Sequence, residues 1–186
     1  TVDVDPWAGI NLQVSNGASD IFVHKMNSSG DFLWARTFGS KANDGPSSVN
    51  FDSSGNIFTT GTFRDTVDFN PGLGDNSLIS KGKTDVFLQT LDSSGNFIWA
   101  RAFGGFFFDG AVSTIDASNN IYTTGSFEGG VDFDPGVGTT NLISNGEQDV
   151  FVQKLITCST ISTIDTITAC ESYTWIDGVT YSRSNN

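Results

Sequence analysis

Oxygen-bearing side chains recur in pairs ahead of proline: Asp3 and Asp5 before Pro6, Asp68 and Asn70 before Pro71, Asp132 and Asp134 before Pro135. Hard cations take oxygen ligands, so Asp68, Asn70, Asp132 and Asp134 are candidate calcium ligands. The spacing lacks the later ligands and the closing bidentate Glu of an EF-hand loop. Asp and Asn ahead of Pro and Gly also form turns by bonding to their own backbone, so calcium site and turn both stay open. A second candidate is the run Phe106, Phe107 and Phe108, which replaces Lys41, Ala42 and Asn43 of a matching loop. Three adjacent Phe on a loop form an apolar patch, suited to a neighbouring unit or module, or to a glycan or protein ligand.

The remaining chemistry-bearing residues occur in copies, which favours structural roles. Asp44-Gly45 recurs as Asp109-Gly110, where a carboxylate is either an acid or base or the anchor of a turn. Arg36 and Arg101 follow Trp34 and Trp99, and each guanidinium suits an acid of a neighbouring unit. The lone His24 is matched by Gln89 and Gln153, which indicates a hydrogen-bonding position rather than a catalytic one. Cys158 and Cys170 are close enough to pair, although Cys170 bridging to another cysteine is equally open; either suits an oxidising, extracellular setting. With one His and two Cys, the chain lacks the four ligands of a structural zinc site.

These residues are positioned by a repeat. Asp20-Ile21-Phe22-Val23 returns as Asp85-Val86-Phe87-Leu88 and as Asp149-Val150-Phe151-Val152. Residues 67–91 and 131–155 share 15 identities in 25 positions, and Pro6, Pro71 and Pro135 lie 65 and then 64 residues apart. A period of this length signals a stacked array of supersecondary units. Phe38 and Phe103 are 65 apart but Asp52 and Asp116 are 64 apart, which places the one-residue difference in the intervening polar loop.

Each unit carries four strand signals separated by turns. In the first they are 20–26, 31–38, 48–52 and 56–63; the second repeats them at 85–91, 96–103, 112–116 and 120–127. The opening strand is a nearly unbroken apolar run suited to cover on both faces, and the next alternates with period two. No helix is expected. The links 64–84 and 128–148 are long enough to hold a small hairpin around Leu78-Ile79 and Leu142-Ile143.

Four short antiparallel strands per unit imply an all-β fold: a partial β-propeller of four-stranded blades, with about two and a half repeats of 64–65 residues. Propeller blades are expected over 1–156, with repeats near 20–63 and 85–127 and a third begun at 149. Residues 157–186 read as an incomplete second β-module, with a hairpin at Asp177-Gly178 flanked by Tyr173, Thr174, Trp175 and Ile176 and by Val179, Thr180 and Tyr181. An unclosed array leaves roughly 400 Å² of apolar face bare, about 10 kcal/mol of burial at about 25 cal/mol per Å². The chain is therefore expected to be a segment of a longer protein whose other blades and modules are its partners, with assembly of copies into a closed ring as the alternative.

The string Asp85–Leu91, Ser93, Ser94, Gly95, Asn96, Trp99, Ala100, Phe103, Gly104, Asp109, Gly110, Asp116, Asn120, Ile121, Thr124 and Gly125 resembles the SBBP repeat, a β-propeller repeat of secreted and surface bacterial proteins. The resemblance covers the first 155 residues or so and extends to the acidic link 131–136, as in Bacteroidota-type extracellular proteins. It implies a non-catalytic scaffold or adhesion role at the cell surface or outside it, and no catalytic residue to carry over. The tail resembles the opening of a second Cys-containing β-repeat module.

Composition narrows the partners further. Acidic residues number 21 against 9 basic, for a net charge of −12, which repels nucleic acid and anionic lipid. No apolar run approaches the length of a membrane-spanning helix, so membrane insertion is not expected. The expected function is a non-catalytic extracellular scaffold, adhesion or ligand-binding segment. The alternative is a glycan-binding or glycan-cleaving propeller enzyme, in which an unshared carboxylate, Glu128 or Glu147, would break the repeat symmetry.

Overall fold

A computed structural model describes residues 1–7, 9–136, 138–157, 171–174 and 180–183. The protein is all-β, with fifteen strands and no helix among the described residues. Phe, Val, Ile and Thr dominate the strands, as a pleated, packed surface favours. The turns are closed by left-handed residues: Gly30, Gly55 and Gly95 at φ 85°, 79° and 78°, and Asn119 at 64° in the fourth copy. Asp52, Asp92 and Asp116 each accept two backbone N–H groups across these turns, from Ser54 and Asn56, Ser94 and Asn96, and Ser118 and Asn120.

β1 (Val2–Asp3) and β2 (Leu12–Gln13) form a short ribbon, and β3 (Ile21–Met26) pairs antiparallel with β4 (Phe32–Phe38). Then β5 (Gly45–Phe51), β6 (Ile57–Phe63), β9 (Asp85–Leu91) and β10 (Phe97–Gly105) follow one another as antiparallel neighbours. Between β6 and β9 the chain makes the small ribbon of β7 (Thr66–Asp68) and β8 (Ser77–Ile79). β11 (Gly110–Ile115), β12 (Ile121–Asp132), β13 (Asn141–Thr157), β14 (Glu171–Thr174) and β15 (Thr180–Arg183) continue the pattern. Only Gly104↔Asp132 and Gly105↔Val131 join β10 to β12, which links β5, β6 and β9 to β15 into one nine-stranded sheet and leaves β1–β2, β3–β4 and β7–β8 as two-stranded sheets.

The link hairpins are present in all three copies, with Val2↔Gln13, Val67↔Leu78 and Val131↔Leu142 as matching pairs. They decide how the repeat is cut. The four strands expected over 20–63 as one sheet are divided: β3 and β4 pair with each other, while β5 and β6 pair onward to β9. Each link folds back on itself and returns β9 beside β6, so a sheet takes its first two strands from one repeat and its last two from the next.

The one-residue length difference lies in a strand, not in the expected loop. Gly61 and Thr60 of β6 pair with Pro46 and Ser48, skipping Ser47, whereas Gly125 and Thr124 of β12 pair with the consecutive Ala111 and Val112. Ser47 is the extra residue, held as a β-bulge that leaves the register on either side intact.

A cluster of four phenylalanines recurs in the core. Phe38 of β4 and Phe63 of β6 each lie against Phe69 after β7 and Phe87 of β9, in one core with Ile21 and Val67. Phe103 of β10 sits in the same way among Phe127, Phe133 and Phe151. Ring separations repeat closely: 4.9 Å for Phe69–Phe87 and 4.7 Å for Phe133–Phe151, with Phe63–Phe69 and Phe127–Phe133 edge-on at 5.3 and 5.1 Å. Each buried ring contributes about 1.5–3 kcal/mol, so the clusters hold β4 to β6 and β9, and β10 to β12 and β13.

Candidate functional site

The paired acidic positions sit at the tips of the link hairpins, where each closes its own loop. Asp68 Oδ1 accepts the N–H groups of Asn70 and Asn76, both at 2.9 Å; Asp132 Oδ1 accepts those of Asp134 and Thr140 at 3.1 and 2.8 Å. Asp3 does the same for Asp5 and Asn11. The second members act one step later, Asn70 Oδ1 on Gly72 N and Asp134 Oδ1 on Gly136 N. The Oδ1 atom of each residue offered as a calcium ligand is thus engaged by backbone donors, and among the described residues no three His, Cys, Asp or Glu gather to hold a metal. Cys158 and Cys170, and the Asp177-Gly178 turn, lie outside the described residues.

Asp44 and Asp109 are buried and serve as staples. Asp44 accepts from Ser40 N, Ser40 Oγ and Arg64 N, and Asp109 from Gly105 N at 2.7 Å and Glu128 N at 3.4 Å. Burial raises the Asp109 carboxyl above its usual range. Asp85, at the start of β9, is pushed up to about 6, first by burial and further by the charge of Asp109, against the lowering effect of the Lys81 N–H. Its Oδ1 is buried without a hydrogen-bond partner.

Arg36 does not meet the acid expected of it. It donates to the Gly95 carbonyl at 2.9 Å and the Ser94 carbonyl at 3.4 Å, in the β9–β10 turn of the next sheet. Trp34 lies flat on that turn: a Cβ at Gly95 would stand 3.0 Å from its ring. Arg101 donates to the Pro135 carbonyl at 3.4 Å, and the charge of Asp134 partly offsets the lowering that burial imposes on its pKa. Gln89 and Gln153 are buried and donate to the Phe69 and Phe133 carbonyls, both at 2.7 Å, whereas His24 at the matching place is exposed.

Phe106, Phe107 and Phe108 fall between β10 and β11; the Phe106 and Phe107 rings meet edge-on at 5.3 Å, and Lys83 Nζ lies over both Phe107 and Phe108. The backbone beneath them is stitched to the loop before β9, with Lys83 N donating to the Phe106 and Phe107 carbonyls. Phe107 packs on Gly129, Lys83 Nζ lies 4.6 Å from the Phe108 ring centre, and Phe106 and Phe108 are exposed at 71% and 42%.

The feature that residue-level reading missed is a groove of about 600 Å³ between β3 and the β5–β6 hairpin. Its walls are Phe22 to Met26 on one side and Pro46, Val49 and Phe51 on the other. Phe22 is 43% exposed, while its copies Phe87 and Phe151 are 0% and 3% exposed. The signal was available: the strand most apolar in every copy is the one that needs neighbours on both edges.

No family model matches the chain. It is similar to a regulatory protein, FlaEY, of Caulobacter vibrioides, at 28% identity over 176 residues. That similarity covers 88% of this chain and 18% of the relative's length.

Proposed function

We propose that the chain is a non-catalytic scaffold: part of a β-propeller of a secreted or surface protein, whose sheets present a binding face to other repeats or to a surface ligand. The observation that carries this reading is the fate of the repeated carboxylates. Asp44 and Asp109, repeated carboxylates weighed for acid–base chemistry, are engaged by one backbone N–H of their own loop and one from across it, at Arg64 and Glu128. A general acid or base must instead reach a substrate proton. The repeated Phe clusters and the strand sharing between repeats support a modular array. A relative that exceeds this chain several-fold in length, and is itself named a regulatory protein, supports a part within a larger assembly.

The test joins a glycoside-hydrolysis screen and a glycan array to the variant Asp109→Asn. A scaffold shows no turnover on any substrate, and the variant lowers the melting temperature. Hydrolysis that Asp109→Asn abolishes with melting unchanged overturns the scaffold reading in favour of a carbohydrate-active propeller.

A further inference from the structure

We infer that the open edge of β3 is a docking site for a β-hairpin of the β5–β6 type carried by a further repeat. The inference rests on the repeats being stacked sheets of one array, and it names the partner of that array. The occupant is read from the chain's other copies. β9, the counterpart of β3, is covered along its whole length by β6, from Ile57↔Leu91 to Phe63↔Asp85. β13 is covered by β12 in the same way, from Ile121↔Leu155 to Phe127↔Asp149. Among the described residues β3 pairs with β4 alone.

The side chains carry the mark of the uncovered edge. β9 is buried at every residue, whereas β3 buries only Ile21 and then alternates between exposed and half-buried residues, and the groove beside it holds Phe22 opposite Val49 and Phe51 of β5. The volume that β6 fills beside β9 is open beside β3. β3 also has no defence against strand addition: it contains no proline, and its single charged side chain, Lys25, is drawn away to the Ser93 carbonyl at 2.7 Å. The register follows from the copies. The hairpin's counterparts of Ile57, Thr59 and Gly61 face Met26, His24 and Phe22, as Ile57, Thr59 and Gly61 face Leu91, Gln89 and Phe87. The glycine is required, since a Cβ at Gly61 meets the Gly45 carbonyl oxygen and lies 2.8 Å from the Phe87 ring; Gly125 stands in the same relation to the Gly110 carbonyl. Main-chain bonds of this kind supply affinity, and the side-chain pockets supply selectivity.

The experiment appends a second copy of residues 45–63 to the full chain through a Gly/Ser linker of about thirty residues, which reaches about 30 Å. Hydrogen exchange is then read at the β3 amides, with β9 as internal reference. Docking slows the β3 amides at least about tenfold relative to the parent chain, equivalent to about 1.4 kcal/mol. Gly61→Val in the appended copy alone, or Phe22→Ser in the parent β3, removes that protection while β9 stays slow. Unchanged β3 exchange in the fusion overturns the inference. So does concentration-dependent protection of β3 in the unfused chain, which would make a second copy the occupant. Neither result depends on whether the array binds or cleaves glycans.

Discussion

Asp85 places a carboxylate where water is scarce, beside a second buried acid, and the consequence is a pH dependence of defined sign. Its pKa is about 6 in the folded chain against about 3.9 for an unperturbed Asp. Between those values the folded state holds the proton more tightly than the unfolded state, so stability falls as pH rises from about 4 to about 6 and is level beyond. Asp85→Asn removes this loss while keeping an oxygen for the Lys81 N–H. Urea midpoints should show the variant's advantage over the parent growing from pH 4 to pH 7; an equal difference at both would refute it. The acidic link residues make the opposite case, since their oxygens hold loops together in the open. Asp68→Ala releases two backbone donors at an exposed site and is expected to cost about 1 kcal/mol. If these oxygens serve the turns alone, added calcium leaves the melting temperature of the parent unchanged; a calcium-dependent rise that Asp68→Ala abolishes would support the metal reading.

At the scale of elements, the joint between β4 and the β9–β10 turn is where a small change propagates. Gly95 has φ 78° and lies under the Trp34 ring, with Arg36 donating to its carbonyl. Ala there meets both a left-handed backbone and the indole, so Gly95→Ala is expected to destabilise by about 1–2 kcal/mol. The same substitution at Gly55, which is left-handed but touches only Ser93 at 3.7 Å, should cost less. Equal losses in thermal unfolding would show that backbone strain alone matters and that the Trp34 contact adds nothing. Strand positions were legible because Gly and Ser-Gly turns bracket apolar runs, and the link hairpins because each link was too long for a plain connection. The grouping of strands into sheets was not legible. Local periodicity sets which residues face in, but nothing in 64–84 states that the returning strand will dock on β6 rather than open a new sheet. The bulge at Ser47 was hidden for a related reason: a ladder absorbs one residue without changing the pattern on either side.

Across the whole molecule, stability should be graded. β9 is buried throughout and paired on both edges, whereas β3 is half exposed and paired on one. Regions with few buried contacts open at low free-energy cost, so β9 amides should be the slowest to exchange and β3 amides among the fastest of the strands. Uniform protection across both strands would contradict the asymmetry. The site was legible only in pieces: the acidic turns and the Phe run stood out by residue type, but the groove exists only because two copies of one strand are covered and the third is not.

Because β5 and β6 of one period run on into β9 and β10 of the next, covalent and spatial boundaries are out of step, like courses of brick. A protease cut anywhere in 64–84 would leave the two pieces laced together through β6 and β9 instead of setting a sheet free. Duplication or loss of one 64–65-residue stretch would lengthen or shorten the stack by a whole layer wherever the breakpoint fell, an economical route to arrays of differing size.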